Sequence, residues 1–207
     1  YPRLPGALAV TVDPIAGQAW NVIDPAAPGD AFLDSCARTL ASLQAIEPEQ
    51  ARRAGVIART IDEERERIAA AVEATAEAIA VPPALRARWM RWLDDDRLWP
   101  VHRALVHGDL HPGHLLLEPD GTLCGILDWT EAHVGDPATD FAMVHGCFGP
   151  AVLAELVRRF ERAGGRTWPG LLVHAAERWA AYPAIVAEWA LRTGTEAALS
   201  FARPEIT

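Results

Sequence analysis

From residue 30 onward the chain alternates between apolar positions at helical spacing and short unbroken apolar runs. Phe32, Leu33, Cys36, Leu40 and Leu43 recur at intervals of one, three and four, which predicts a helix with one buried face. Asp30 is placed to cap it, since its carboxylate can accept an orphan backbone N–H, and Pro48 marks a loop after it. Thr60 and Glu63 have capping-box spacing. The helix they open carries Ile61, Ile68, Val72 and Ile79 and must stop before Pro82-Pro83. Pro83 then starts a helix bearing Leu85, Trp89, Trp92 and Leu93, whose tryptophans read as core. Ala104–Val106, Leu115–Leu117 and Leu123–Leu127 are apolar runs too short for helices. The last two flank Pro119-Asp120-Gly121, which predicts a hairpin. Beyond Pro137 the pattern is helical again, with a helix from Pro150 to Gly164-Gly165 and a long one over Trp168–Arg192, kinked at Pro183 and capped by Gly194.

Residues 1–29 follow neither period. Pro and Gly punctuate them, and they read as an irregular connector with at most an extended piece at Ala9–Val12. The pattern as a whole predicts an α+β fold, predominantly helical, with a connector over 1–29 and one helical unit over 30–207 around a small central hairpin.

Composition narrows the classes. A chain of 207 residues, half hydrophobic, can bury a sizeable core. The net charge of −9 argues against a nucleic-acid surface. All 19 basic residues are Arg, so a P-loop lysine and a Schiff-base lysine are excluded within these residues. Cys36, Cys124 and Cys147 have no CxxC spacing, so a reducing cytoplasm is the expected compartment. No apolar run is long enough to span a membrane.

The chemistry concentrates between the apolar runs, in His107-Gly108-Asp109-Leu110-His111-Pro112-Gly113-His114 and Ile126-Leu127-Asp128-Trp129. Asp109 on a loop can orient a substrate hydroxyl and accept its proton, or it can cap the loop as an Asx turn. His114 and Asp128 can share a divalent cation, or each can be structural. The run Asp94-Asp95-Asp96 reads as a solvated helix end. Asp-x4-His, a hairpin and then Asp-Trp form the layout of a protein-kinase catalytic loop: base, metal ligand, second metal ligand.

These strings closely resemble the aminoglycoside phosphotransferase family, which has a protein-kinase-like fold. Gly135-Asp136-Pro137-Ala138-Thr139-Asp140 fits the same family, in which the downstream Asp braces the catalytic loop. His114 departs from the family's usual Asn. With Asp128-Trp129-Thr130-Glu131-Ala132 and the opening Tyr1-Pro2-Arg3-Leu4-Pro5-Gly6, it resembles the macrolide 2'-phosphotransferase branch. The resemblance implies that Asp109 is the base toward a desosamine 2'-hydroxyl and that His114 and Asp128 hold Mg²⁺. GTP is the implied donor, with ATP the alternative. His111 falls where charge on the transferred phosphoryl is stabilised, or it braces the loop. A macrolide is large, mostly apolar and carries one amine, so Trp129 or residues of the long helices are candidates for its apolar wall and Glu131 and Asp136 for attraction to the amine.

The resemblance places Tyr1–Gly6 at a hinge between two lobes, with Tyr1 and Leu4 retaining part of the nucleotide surface. No glycine-rich loop and no lysine precede the catalytic loop. The chain is therefore expected to be the C-terminal lobe of the kinase, without its nucleotide lobe and inactive by itself. Three alternatives stay open: a kinase of the same fold acting on an aminoglycoside, choline or a metabolite; a non-catalytic binding lobe; and a metal-dependent hydrolase using His107-x-Asp109-x-His111.

Overall fold

The computed structural model of the chain describes residues 4–13 and 17–207. Tyr1, expected at the nucleotide surface, lies outside the described residues. The first elements are three short strands, β1 (Ala7–Leu8), β2 (Val10–Asp13) and β3 (Gly17–Trp20). They are followed by α1 (Asp30–Gln44), α2 (Pro48–Arg53), β4 (Ile57–Ala58), α3 (Ile61–Ala78) and α4 (Pro83–Leu93). The central stretch holds β5 (Ala104–Val106), a single 3-10 turn at Pro112–His114, β6 (Leu115–Leu117), β7 (Leu123–Ile126) and β8 (His133–Gly135). Four helices close the chain: α5 (Ala138–Phe148), α6 (Pro150–Arg162), α7 (Leu171–Thr193) and α8 (Glu196–Ile206).

Where the signals are local, the elements fall where the sequence predicts. Thr60 accepts from the Glu63 N–H, and the Glu63 side chain accepts the Thr60 N–H at 2.6 Å, completing the capping box of α3. β6 and β7 pair antiparallel as the expected hairpin. Several expectations change. The connector before residue 30 contains β2 and β3, paired with each other, and β1, which pairs with β6. Gly29 is the N-cap of α1, and Asp30 is its first helical residue, its carboxylate facing Arg159. Pro48 opens α2 rather than a loop. The last long helix starts at Leu171 and continues through Pro183. A further helix, α8, follows Gly194.

Two apolar cores result. One packs Phe32, Cys36 and Leu40 of α1 against Leu115 and Leu117 of β6, Phe141 of α5 and Phe160 of α6. The other packs Val72 of α3 and Trp89 and Trp92 of α4 against Ala181, Ala184 and Ala187 of α7 and Ala202 of α8. Trp89 is fully buried, and its indole N–H donates to the Ala180 carbonyl. The small residues on α7 let α3 and α4 approach closely. Gly146 does the same between α5 and α7, because a Cβ there would overlap the Trp179 ring.

A small sheet lies beside the chemistry. β8 pairs parallel with β4 and antiparallel with β5, so the strand leading into Asp109 and the segment following Asp128 are locked in register.

Candidate functional site

β5 is buried along its length and delivers the chain into His107, Gly108 and Asp109. Two carboxylate oxygens hold that loop. Asp140 Oδ2 accepts the His107 N–H at 2.9 Å, and Oδ1 accepts the Gly108 N–H at 3.0 Å. Asp140 is buried, which raises its pKa against the pull of these two donors. It braces the loop, as the resemblance implies. Gly108 has φ +89°, and a Cβ there would collide with the Glu131 carbonyl. The loop therefore requires glycine at this point.

The histidines are fixed by atoms that can play only one role. A backbone carbonyl only accepts and an amide N–H only donates. His107 Nε2 lies 2.9 Å from the Leu127 carbonyl, so it carries the proton, and Nδ1 accepts the Asp109 N–H at 3.3 Å. His114 Nδ1 donates to the Asp109 carbonyl at 3.0 Å, which leaves the Nε2 lone pair free. His111 Nδ1 accepts the Gly113 N–H at 3.1 Å, so its proton sits on Nε2. Burial lowers the His111 pKa, outweighing the pull of Asp109 and favouring this neutral form.

Asp109 itself is left open. Its Oδ2 stands 3.7 Å from His114 Nδ1 and 3.8 Å from His111 Nε2, both beyond hydrogen-bond distance. A carboxylate held by its backbone and, among the described residues, without a hydrogen bond to its oxygens is suited to accept a proton. Asp128 follows the hairpin with φ +57°, in the left-handed region. Its Oδ1 accepts from the Thr130 hydroxyl at 2.6 Å, and the hydrogen bonds of Thr130 lower its pKa. Its Oδ2 faces the free His114 Nε2 at 3.9 Å. One exposed anionic oxygen and one available imidazole lone pair, turned toward each other, fit a divalent cation.

Asp109, His111 and His114 also offer ligand-type atoms within 4.8 Å of one another. The protonation pattern argues against a metal triad there, because the Nε2 that His111 has left is a donor. His107, a member of the cluster in the alternative hydrolase reading, turns to Leu127.

Two cavities lie beside the loop that carries Asp109. One, of about 450 Å³, is lined by Asp109, Glu131, Tyr182, Glu188 and Trp189. The other, of about 570 Å³, is lined by His111, Trp20, Met143, Trp179, Tyr182 and Phe201. Tyr182 belongs to both, and its ring stacks on Trp179. Burial and the charge of Asp109 push the Tyr182 hydroxyl up to about 12.

The structure brings Asp109, His111, His114, Asp128 and Glu131 together and places two other candidates, Asp136 and Trp129, away from these two cavities. Asp136 is fully buried. Its Oδ2 accepts from His174 Nε2 at 2.8 Å and Arg178 Nη1 at 3.0 Å, so it cannot meet a substrate amine. Burial works to raise its pKa, and His174, Arg178 and the Ala138 N–H overcome that and hold it at about 2. Trp129 packs edge-on against His107, with ring centroids 4.8 Å apart, and its indole N–H donates to the Ile126 carbonyl. Its exposed side lines a separate hollow with Arg38 and Leu43 of α1. Leu4 is half exposed.

The long helices are expected to offer apolar wall, but the sequence does not single out Tyr182, Glu188 and Trp189 as the residues that line the cavity. They sit on α7, whose period marks a buried helix but not which turn faces the catalytic loop. The spacing of Tyr182, Ile185, Val186 and Trp189 was the available signal, since it defines a face shifted from the Ala181, Ala184 and Ala187 stripe.

Related proteins bear on this geometry. The chain is 37% identical over 203 residues to the uncharacterized protein YcbJ of Bacillus subtilis strain 168, covering 98% of this chain and 66% of that protein. A macrolide 2'-phosphotransferase type I superposes with a TM-score of 0.91 at 37% identity, over all of this chain and 68% of the other. The macrolide 2'-phosphotransferase of Brachybacterium faecium, as apoenzyme, superposes at 0.88 and 34% identity with the same coverage. The chain thus spans about two thirds of the length of these relatives. Residues 6–174, from the first strand to the helix that walls both cavities, match the model of the phosphotransferase enzyme family, and the chain belongs to that family.

Proposed function

We propose that the chain forms the catalytic and acceptor-binding lobe of a small-molecule kinase that moves the γ-phosphoryl of GTP to the desosamine 2'-hydroxyl of a macrolide. The observation that carries this reading is the open Asp109 carboxylate on the wall of one cavity, with His111 on the wall of a second, beside the facing pair His114 Nε2 and Asp128 Oδ2.

In this reading the Asp109 carboxylate orients the acceptor hydroxyl and takes its proton as the oxygen attacks phosphorus. His111 presents its Nε2–H toward the same space and donates to the phosphoryl oxygens. His114 and Asp128 hold Mg²⁺, which supplies charge neutralisation to the phosphates when bound. The remaining work is positioning. Trp179, Tyr182 and Phe201 offer apolar wall to a lactone ring. Glu131 and Glu188 give the smaller cavity the sign that suits an ammonium group. The nucleotide is contacted by residues near the hinge, Leu4 among them, and by a further lobe carrying the glycine-rich loop and the lysine. The similarity to two macrolide phosphotransferases above 30% identity supports the macrolide over other acceptors.

The test is phosphorylation by the full-length protein of erythromycin and of kanamycin with GTP, the product position read by NMR. Phosphate on the desosamine 2'-oxygen is expected. Transfer to kanamycin alone would reject the macrolide assignment, and the 207-residue chain alone should bind erythromycin without turnover.

A further inference from the structure

Two carboxylates one turn apart at the head of α5 reach in opposite directions. Asp140 holds the N–H groups of His107 and Gly108 and so fixes the loop that carries Asp109. Asp136 reaches the other way, to His174 and Arg178 on α7. His174 and Arg178 are themselves one turn apart and buried. His174 is oriented from its far side, because the Trp92 indole N–H donates to its Nδ1 at 2.9 Å. Arg178 is held from its far side too, with Nη2 3.7 Å from Glu64 Oε2 on α3.

The next turns of α7 carry Tyr182, Glu188 and Trp189, which wall the cavity at Asp109. The wall and the base are thus tied to the same short segment by opposite arms. Burying three polar groups is a weak way to glue helices, since apolar residues of equal volume stabilise as well or better. What the cluster supplies is a fixed register. A guanidinium fork shared between Asp136 and Glu64 satisfies both only at one rotation of α7.

We infer that Asp136, His174 and Arg178 form a positioning cluster that sets the distance between the acceptor wall on α7 and the Asp109 loop, and so governs acceptor binding and orientation rather than nucleotide binding. This rests on the reading of the cavity as an acceptor site. An error of about 1 Å in that distance can cost on the order of 10²-fold in rate.

The test uses the full-length protein and whichever of erythromycin and kanamycin it phosphorylates faster. Arg178→Lys keeps a buried cation but replaces the fork with a point charge. It is expected to raise acceptor KM at least about tenfold, with the KM for GTP changed less than about twofold and an intact near-UV circular dichroism spectrum. Equal changes in both KM values, or no change in acceptor KM, would overturn the inference. His174→Gln preserves a donor toward Asp136 and an acceptor toward Trp92, and should restore acceptor KM relative to His174→Leu; failure of that rescue also counts against the cluster. Transfer to kanamycin alone would reject the macrolide reading and leave these comparisons in force. Absence of any turnover by the unaltered protein would overturn both readings.

Discussion

The His107 imidazole donates from Nε2 to the Leu127 carbonyl at 2.9 Å, across twenty residues of chain. This contact joins the loop that carries Asp109 to the residue before Asp128. Asp109 and Asp128 are therefore held by one side chain, whose ring is pinned in turn by the Trp129 edge.

Asp109→Asn keeps the size of the side chain and removes its basicity. Turnover in the full-length protein is expected to fall by about 10² to 10⁴. Macrolide affinity, read by isothermal titration, should stay within about threefold, because Asn keeps the shape that Asp109 gives the wall and the other lining residues are unchanged. Unchanged turnover would remove Asp109 from the role of base.

Asp140→Asn should cost about 2 to 3 kcal/mol in urea unfolding. An amide can offer its oxygen to only one of the two donors, and its NH₂ then faces the other N–H. The loss should also lower turnover, since those donors belong to the catalytic loop.

Gly108→Ala places a Cβ against the Glu131 carbonyl at a backbone angle that L-residues avoid. The loop must shift to relieve it. A fall in turnover of about 10²-fold is expected. Ala at Gly149, where nothing lies within 4 Å, is the control for the backbone effect alone, since its φ is also positive.

His114→Leu removes the imidazole lone pair that faces Asp128. The Mg²⁺ concentration for half-maximal turnover should rise by at least about tenfold. His114→Asn, which offers an amide oxygen, should recover much of the loss. Equal behaviour of the two variants would argue against ligation at this position.

Acid should unfold the protein through Glu64 and Asp136. Burial opposes ionisation of Glu64, and the His133 imidazole 3.3 Å from its Oε1, with the charges of Arg178 and Arg59, outweighs it and holds its pKa at about 2. Asp136 is held at about 2 as well. Both lie below their unfolded values of about 4. The stability they contribute is therefore fully present above about pH 5 and is lost as pH falls toward 2. Asp140, raised by burial, runs the other way and offsets part of the loss. The urea midpoint measured from pH 7 to pH 3 should fall below pH 5, and Glu64→Gln should flatten that slope.

Local chemistry made much of this fold legible. The Thr60–Glu63 box, Pro83 and the turn at Pro119–Gly121 are read from neighbours within four residues, and each marks an element that forms. The β4–β8–β5 sheet could not be read so. Ile57–Ala58 is two residues long and pairs with His133–Val134, far along the chain. Gly17–Trp20 lacks the alternation of a strand and forms one only because β2 lies opposite. The site divides in the same way. Asp109, His114 and Asp128 sit in a contiguous motif with its hairpin. Asp136 belongs to the same stretch, but its partners lie on α7, so its motif position said nothing about its burial.

The left-handed backbone of Asp128 restricts how this position can drift in sequence space. Gly, Asn and Asp adopt that conformation at little cost, and β-branched or long side chains at a higher one. Of the tolerant residues, only Asp keeps a negative charge at the oxygen facing His114. Glu, its closest chemical neighbour, carries the right charge on the wrong backbone, and Asn the right backbone without the charge. Charge and conformation each permit several residues here, and their intersection holds one. With the proposed cation held there, exchange at this site is disfavoured for a geometric reason that a comparison of side-chain chemistry alone would miss.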